Sequence, residues 1–278
     1  MVPLDVRGLL RRYNIHPKKR LGQNFLMDET ALSKVAEAAQ LAPGDTVLEI
    51  GAGLGSLTRH LAAVAGRVVA VELDADLLPA LQDTLRGLDQ AELLQGDILR
   101  MDLGSRLGLP DGYKVAANIP YYITSAVIRH LLEAPVRPER IVLMMQREVA
   151  ERIVAQPDDM NLLAVSVQFY SQPSRVARVP AGAFYPRPEV DSEIVRLDVR
   201  PRPAVDVADV DGFFRVVKAG FSQKRKQLRN ALGGGLRLEP AQVDALLAEA
   251  GVAPQRRAET LTLQEWGRVA RAAAGTQE

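Results

Sequence analysis

The sequence predicts an α/β fold in which a mostly parallel sheet is covered by helices on both faces and is followed by a small all-helical domain. Short runs rich in Val, Ile and Leu alternate with segments whose apolar residues recur at helical spacing, and the C-terminal part is helical by pattern alone. The 278 residues suffice for one large and one smaller domain. A hydrophobic share of 47% and a charged share of 25% exclude a disordered or fibrous chain.

Five short apolar runs are predicted to be the parallel strands. Each is bracketed by Gly, Asp or Pro, which favours a strand over a buried turn of helix. The runs are residues 45–51, 67–74, 91–99, 113–120 and 139–146, and helices are predicted between them, for example over 56–65 and 77–88.

The remainder of the chain predicts an edge hairpin and three helices. Residues 172–200 contain four prolines and a β-rich stretch, which favours extended chain. Residues 201–207 are predicted to be a linker. Helices are then expected over 211–232, 239–251 and 262–274, with Gly233–Gly235 ending the first and Gly251 ending the second. We therefore expect one domain over residues 1–200 and a helical domain over 201–278.

Composition excludes several classes of function. The chain has no cysteine, which excludes disulfides, thiolate catalysis and iron–sulfur clusters, and its three scattered histidines predict no metal site. No run of about 18 apolar residues occurs, so we expect no membrane span. The N-terminus is basic but lacks the apolar stretch of a secretory signal. We expect a cytoplasmic monomer.

Charge is unevenly distributed despite a net charge of +1. Residues 1–26 hold six Lys or Arg and one acid, and residues 213–237 hold seven and no acid. Residues 72–111 hold nine acids and three Arg. A single basic run is usually a solvated helix face, but two basic blocks and one acidic block favour separate surfaces with separate partners.

A glycine-rich loop follows the first predicted strand and opens a helix. Glycines such as Gly51 and Gly53 let the backbone adopt positive φ and approach a ligand closely. The loop is not the dinucleotide fingerprint, because Ser56 stands where that fingerprint has its third glycine.

Three carboxylates accompany this loop at the carboxyl ends of successive strands, where open α/β sheets bind ligands. They are Glu49, Glu72 and Asp97. Glu72 ends the second strand, where a carboxylate can take both hydroxyls of a ribose. A pyrophosphate would need positive charge, whereas an acidic crevice suits a cationic adenosine ligand such as S-adenosylmethionine. The alternative for Glu72 or Asp97 alone is a helix N-cap.

The fourth strand ends in Asn118-Ile119-Pro120-Tyr121, which resembles the (N/D/S)-P-P-(Y/F) motif of methyltransferases that act on exocyclic amines. An adenine amine is a poor nucleophile because its lone pair is conjugated with the ring. The Asn118 side-chain oxygen and a neighbouring main-chain carbonyl, which we assign to Ile119, can hold both N–H groups and favour a pyramidal nitrogen. Catalysis would then rest on positioning, and no side-chain base is required. The alternative is a plain exit from a strand.

Two aromatic residues are candidates for holding a flipped base. Tyr121 offers a ring face for stacking, which is worth about 1–3 kcal/mol per base. Phe184, in a proline-rich segment, is a candidate second wall of the base pocket, and its alternative is a core aromatic at the edge hairpin.

Taken together, these segments resemble the small-subunit branch of the ribosomal RNA adenine dimethyltransferase family, over nearly the whole chain. The matching segments are KKRLGQNFL (18–26), VLEIGAGLGSLT (47–58), VVAVELD (68–74), QGDIL (95–99), ANIPYYIT (117–124), VLMMQREVAERI (142–153), FYPRPEVDS (184–192) and FSQKRKQLRNAL (221–232).

The resemblance implies a class I S-adenosylmethionine-dependent methyltransferase fold, Rossmann-like, with seven strands and a small C-terminal RNA-binding helical domain. It implies transfer of two methyls to N6 of each of two adjacent adenosines near the 3′ end of 16S rRNA, during assembly of the 30S subunit. The implied cofactor contacts are Asn24, Leu26, Gly51, Gly53, Glu72, Asp97 and Asn118. The implied target-base residues are Asn118, Tyr121 and Phe184. The expected rRNA contacts are Lys18, Lys19, Arg20, Lys224, Arg225, Lys226 and Arg229.

Two stretches qualify this resemblance. The residues alone would make 23–26 only a turn before a helix near Asp28. Residues 155–166 depart from the Gly-rich, Tyr-containing loop that the family often has. The resemblance therefore does not predict the conformation of this segment near the RNA entrance.

Three alternatives remain. The first is the related enzyme class that dimethylates one adenine of 23S rRNA and confers macrolide resistance, against which residues 221–232 and the C-terminal extension argue. The second is a non-catalytic ribosome assembly factor of the same fold, which the presence of Glu72, Asp97 and Asn118 disfavours. The third, a dinucleotide oxidoreductase, is disfavoured by Ser56 and the acidic crevice.

Overall fold

The structure, a computed structural model, describes residues 2–120 and 123–275. Contacts between Cα atoms divide the chain into two compact units. The first unit comprises the chain up to Ala150 together with Pro173–Val199, and the second comprises Glu151–Gln172 together with the chain from Arg200. The segment between residues 151 and 172 is thus grouped with the C-terminal helices, whereas the sequence prediction placed its one boundary at residue 200.

Nine strands are found in the described residues, and seven of them form one sheet. They are β1 (Phe25–Leu26), β2 (Thr46–Ile50), β3 (Arg67–Glu72), β4 (Ala91–Gln95), β5 (Lys114–Asn118), β6 (Arg140–Gln146), β7 (Ser171–Val179), β8 (Phe184–Tyr185) and β9 (Ser192–Val199). The large sheet has the order β4-β3-β2-β5-β6-β9-β7, and β1 pairs with β8 in a separate antiparallel ribbon.

The large sheet is mostly parallel, as predicted. Strand β2 pairs in parallel with both β3 and β5, β3 pairs with β4, and β5 pairs with β6. Strand β9 runs antiparallel to β6. The five strands predicted from apolar runs are confirmed as β2 to β6. Strand order reverses between β2 and β5, which makes the carboxyl ends of these two strands the place where such sheets bind ligands.

Six helices begin in the first unit, namely α1 (Val6–Arg12), α2 (Glu29–Ala39), α3 (Ser56–Ala62), α4 (Leu78–Thr84), α5 (Thr124–Glu133) and α6 (Arg147–Ile153). Asp28 caps α2 by accepting a hydrogen bond from the N–H of Ala31 at 2.7 Å, so the predicted helix start near Asp28 is confirmed. Leu32 and Val35 of α2 pack in one hydrophobic cluster with Val142 of β6, and this burial holds α2 on the sheet.

The helices of the second unit are α7 (Leu162–Tyr170), α8 (Val210–Gly220), α9 (Leu228–Leu236), α10 (Pro240–Glu249) and α11 (Leu263–Gly275). Phe169 and Phe213 stack with ring centroids 4.7 Å apart, and Phe214 packs edge-on to both. Trp266 is fully buried, and its ring occupies the space that a side chain at Gly220 would need. Aromatic burial thus forms the centre of this unit.

Two sequence predictions for these helices were wrong. The helix predicted over 211–232 is interrupted by turns between α8 and α9. Gly233–Gly235 lie inside α9 instead of ending it. A Cβ at Gly235 would lie 2.5 Å from the Cβ of Ala219, so glycine here allows α8 and α9 to approach closely. Gly251 does follow the end of α10, with φ of 64°, as predicted.

The segment 155–166, which departs from the family pattern, is anchored within the second unit. The main-chain N–H groups of Asp158 and Met160 both donate to the carbonyl oxygen of Glu259, at 3.0 and 3.1 Å. Asn161 then caps α7 by accepting from the N–H of Ala164. These bonds give the segment a defined course despite its unusual sequence.

Candidate functional site

A cleft opens in the first unit at the carboxyl ends of the central strands. Four stretches of chain supply most of its wall, namely residues 21–26, 49–54, 71–73 and 96–98. Residues 118–120 and Ile123 add a further side. All seven residues that the family resemblance implies as cofactor contacts line this one cleft: Asn24, Leu26, Gly51, Gly53, Glu72, Asp97 and Asn118.

The glycine loop is folded back against β3. Gly51 and Gly53 have φ of 73° and 62°, a left-handed conformation that costs glycine little and other residues more. The N–H of Gly51 donates to the carbonyl of Val71, and the N–H of Gly53 donates to Glu72 Oε2 at 2.8 Å. The loop and the end of β3 are thereby fixed relative to one another before any ligand arrives.

Glu72 is held at both of its carboxylate oxygens. Oε2 accepts from Gly53, and Oε1 accepts from the N–H of Asp74 at 2.8 Å. Burial raises the pKa of the Glu72 carboxyl above its ordinary value, while these two main-chain bonds oppose the rise. Since each carboxylate oxygen has a second lone pair, the pre-oriented carboxylate can still accept two ligand hydroxyls.

Glu49 is the most thoroughly buried acid of the cleft, with 2% of its surface exposed. Burial, with the nearby charge of Glu72 adding to it, raises the pKa of Glu49 to about 8, and contact with Thr58 opposes the rise. Its Oε2 atom has no hydrogen-bond partner among residues 2–120 and 123–275. A buried carboxyl oxygen without a partner is costly, and a cationic ligand beside it would favour the ionised form of Glu49.

Asp97 caps a short turn and also lines the cleft. Its Oδ1 accepts from the N–H of Leu99 at 3.1 Å and so caps the short 3₁₀ turn Ile98–Arg100. The carboxylate also lines the cleft and is 39% exposed, with Arg100 Nε 3.5 Å away. The cap fixes the carboxylate at the cleft wall, where an incoming ligand can reach it.

Asn118 ends β5 and lines the cleft beside Asn24. Its Nδ2 donates to the main-chain carbonyl of Asn24 at 3.2 Å, which leaves Oδ1 as the acceptor end of the amide. Ile119 is buried behind it. Tyr121 and its neighbour Tyr122 lie outside the described residues, so the stacking role expected of Tyr121 stays a prediction.

Sequence reasoning from residue types alone did not make residues 23–26 part of the site. In the structure, β1 pairs with β8, with Phe25 opposite Tyr185 and Leu26 opposite Phe184. This pairing lays Asn24 and Leu26 along the cleft wall. Only the family resemblance pointed to these residues, since a two-residue strand carries almost no periodic signal.

Phe184 is not among the residues that line the cleft. Its ring is 3% exposed and packs in the same hydrophobic cluster as Leu26. This environment matches the alternative of a core aromatic, and a role as a wall for a base would require the ring to move. That role therefore stays a prediction.

The basic residues expected to contact RNA fall into two groups. Lys19 and Arg20 are exposed, and Lys224, Arg225 and Lys226 are exposed in the turns between α8 and α9. Two others are engaged within the protein. Lys18 contacts Asp74 and Asp76, each at 2.6 Å, and Arg229 contacts Asp244 at 2.5 Å.

Within residues 2–120 and 123–275 no group of three or more His, Asp or Glu side chains is placed to hold a metal ion. The helices described there include none that is long and apolar enough to cross a membrane.

Comparison with known proteins gives a consistent set of relatives. A model of the family described as "Ribosomal RNA adenine dimethylase" matches residues 14–274. The "Ribosomal RNA small subunit methyltransferase A" of Moorella thermoacetica is 47% identical over 95% of each chain. The protein of the same name from Anaeromyxobacter dehalogenans is 45% identical over 96% of each chain.

Two solved structures share the fold over most of the chain. The 23S rRNA methyltransferase ErmE is 31% identical, with a TM-score of 0.73, over 90% of this chain and 99% of its own. A dimethyladenosine transferase from Plasmodium falciparum is 24% identical, with a TM-score of 0.74, over 88% of this chain and 95% of its own. The predicted sheet architecture is thus confirmed by both the strand order and these neighbours.

Proposed function

Because the chain belongs to the ribosomal RNA adenine dimethylase family, we propose that it dimethylates N6 of two adjacent adenosines near the 3′ end of 16S rRNA. It is an S-adenosylmethionine-dependent rRNA methyltransferase. We further propose that its substrate is the RNA within an assembling small ribosomal subunit, in the cytoplasm, and that it acts as a monomer. The observation that carries the proposal is the single cleft that joins the glycine loop, Glu72 and Asn118.

The residues present fit S-adenosylmethionine. The cofactor carries a sulfonium and an ammonium, and the cleft offers the unpartnered Oε2 of Glu49 and the carboxylate of Asp97. Glu72, with both oxygens pre-oriented, suits the two ribose hydroxyls. A nucleotide with phosphates would meet carboxylates instead of the cations it needs. When bound, the cofactor supplies an electrophilic methyl whose transfer leaves a neutral thioether.

Asn118 is the residue to which we assign the target amine. With Nδ2 committed to the carbonyl of Asn24, Oδ1 is oriented to accept an N–H from the adenine N6. Acceptance of this N–H by Asn118, and of the second N–H by the main-chain carbonyl of Ile119, would hold the nitrogen pyramidal and direct its lone pair toward the methyl. Once the methyl is added, the positively charged nitrogen loses its proton readily to solvent. Positioning of this kind can contribute roughly 7–11 kcal/mol to lowering a barrier.

The large-subunit alternative is less well supported. Curated relatives at 45–47% identity carry the small-subunit name, whereas ErmE is 31% identical. The exposed cations at 224–226 belong to the segment that resembles the small-subunit branch. A non-catalytic assembly factor would not need an amide held at the cleft as Asn118 is.

The test is to incubate the protein and labelled S-adenosylmethionine with unmethylated small subunits, and in parallel with unmethylated large subunits. The Asn118→Ala variant serves as the control for contaminating activity. We expect four methyls on two adjacent adenosines of 16S rRNA, and none on 23S rRNA. Label in 23S rRNA alone would overturn the substrate assignment, and absence of label in any RNA would overturn the activity.

A further inference from the structure

A strap of nine residues, Lys18–Leu26, supplies part of the cleft wall through residues 21–26. Its C-terminal end is fastened by the β1–β8 pairing. The next residue, Met27, adds a hydrogen bond from its N–H to the carbonyl of Ala183 at 2.8 Å. The strap is therefore fixed by main-chain bonds at one end.

At its beginning and middle the strap is fastened through the side chains of Lys18 and Gln23. Lys18 Nζ lies 2.6 Å from Asp74 Oδ1 and 2.6 Å from Asp76 Oδ2. Gln23 Nε2 donates to Asp74 Oδ2 at 2.7 Å, and Gln23 Oε1 accepts from the N–H of Lys18 at 2.7 Å. Asp74 thus binds the strap at two points, and Lys18 and Gln23 also bind each other.

Burial distinguishes the two acidic partners. The Asp74 side chain is 6% exposed, whereas that of Asp76 is 68% exposed. Charge-assisted hydrogen bonds at a buried carboxylate are worth more than exposed ones, which solvent screens. Burial alone would raise the pKa of Asp74, but its bonds to Lys18 and Gln23 leave that pKa below its ordinary value. The same contacts with Asp74 and Asp76 raise the pKa of Lys18.

Hydrogen bonds connect the contacts of Lys18 and Asp74 to the cofactor cleft. The main-chain N–H of Asp74 donates to Glu72 Oε1, and Glu72 Oε2 in turn holds Gly53. One chain of hydrogen bonds therefore runs from Lys18 through Asp74 to the carboxylate that we assign to the ribose. The contacts of the strap and the support of Glu72 therefore meet at one residue, Asp74.

We propose that Lys18, Gln23 and Asp74 form a latch that holds the strap over bound S-adenosylmethionine and sets how long the cofactor stays. The three are positioning residues that act through the strap and through Glu72. Lys18 then differs from its neighbours Lys19 and Arg20, which are exposed and free to meet RNA. The inference rests on the proposed function only in that the cleft binds S-adenosylmethionine.

The test measures cofactor binding to the full chain without RNA, for Lys18→Met and Asp74→Asn. The Asn side chain keeps the Oδ1 acceptor of the Asp76 N–H, so the local turn is preserved. It removes the charge that faces Lys18 and replaces the Oδ2 acceptor of Gln23 by a donor. We expect the Kd for S-adenosylmethionine to rise about tenfold in each variant, through faster dissociation measured by stopped flow. Because Lys18 and Asp74 act through one contact, the Kd of the double variant should rise by much less than the product of the two single increases.

Further readouts separate a latch from a merely structural contact. We expect KM for S-adenosylmethionine to rise about tenfold in Lys18→Met while kcat stays near that of the wild type. The melting temperature should fall modestly, because the buried Asp74 loses its charged partner. Lys18→Arg, which keeps the charge and the donors, should restore most of the affinity. Lys34→Met replaces an exposed lysine on α2 and should change neither quantity.

Two outcomes would overturn the latch. If Lys18→Met binds S-adenosylmethionine as the wild type does but binds RNA less tightly, Lys18 is an RNA contact. If kcat falls along with cofactor affinity, the contact is part of the general fold. Failure of the proposed function is distinguishable from both, because the wild-type chain itself would then not bind S-adenosylmethionine.

Discussion

Asn118 donates a hydrogen bond to the main-chain carbonyl of Asn24, a residue 94 positions earlier in the chain. The bond joins the carboxyl end of β5 to the strap and thereby completes the cleft. It also decides which end of the Asn118 amide is free, since the nitrogen is committed and the oxygen is not. The same contact therefore builds the site and orients the group assigned to the target amine.

Replacing Asn118 by Ala or by Asp should abolish most methyl transfer. Ala removes the acceptor, and Asp would place a carboxylate oxygen against the Asn24 carbonyl, which turns the side chain away. We expect kcat to fall about 100-fold or more, as a small misplacement of a reacting group can cost that much. The measurement is single-turnover methyl transfer, with circular dichroism and melting temperature to verify the fold. Wild-type activity in either variant would show that another group holds the amine.

The buried carboxyl of Glu49 should make the ligand-free protein less stable as pH rises. Its pKa is about 8 in the folded chain against an ordinary 4.5, so the folded state retains a proton that the unfolded state has released. The stabilisation that this retained proton gives to the folded state is fully present below pH 4.5. It is lost as the pH rises through about 8.

The Glu49→Gln variant stays neutral throughout and removes the titration of Glu49 together with its interaction with Glu72. We expect its melting temperature to rise relative to the wild type as pH increases from about 5 to about 9. A difference between the two proteins that is constant over this range would contradict the assignment of a protonated Glu49.

The variant Phe184→Leu separates packing from base stacking. Leucine keeps most of the buried apolar volume, so the loss of stability should stay below about 1.5 kcal/mol. Removal of the ring should lower kcat/KM for RNA about tenfold, in line with roughly 1–3 kcal/mol for stacking of one base. The matched control is Phe169→Leu in the aromatic cluster of the second unit, which should keep kcat/KM. Full activity in Phe184→Leu would leave the ring only a packing role.

Binding of RNA should depend steeply on salt, and the exposed cations at 224–226 should account for part of that dependence. Each phosphate contact on duplex contributes about −0.9 to the slope of log K against log salt. Replacing Lys224, Arg225 and Lys226 together by Ala should reduce the slope by up to about 3. Arg229→Ala should reduce it less, because Arg229 already contacts Asp244. An unchanged slope in the triple variant would place the RNA elsewhere.

The sheet was predictable because its strands carry a strong local signal. The apolar runs around Val47, Val68 and Val142 are buried on both faces, and turn residues mark their ends. The glycine loop, Glu72 and Asn118 were predictable as neighbours for the same reason, since parallel strands bring their carboxyl ends to one edge.

Features that depend on distant contacts were not predictable from residue patterns. Lys18 belongs to a basic block, and its pairing with Asp74 arises from residues 56 positions apart. The glycines within α9 resemble a helix stop, but close packing against Ala219 outweighs their low helix propensity. The buried state of Glu49 depends on α3 lying over it, which the sequence implies only once the topology is known.

The pairing of β1 with β8 joins Phe25 to Tyr185, so a segment that is made early is fixed by one that is made later. During translation the strap has no strand to bind until residue 185 has left the ribosome, and closing so large a loop is slow. The central strands can form earlier, because their partners lie nearer in sequence. A nascent chain therefore gains a complete cofactor cleft only after β8 has been made.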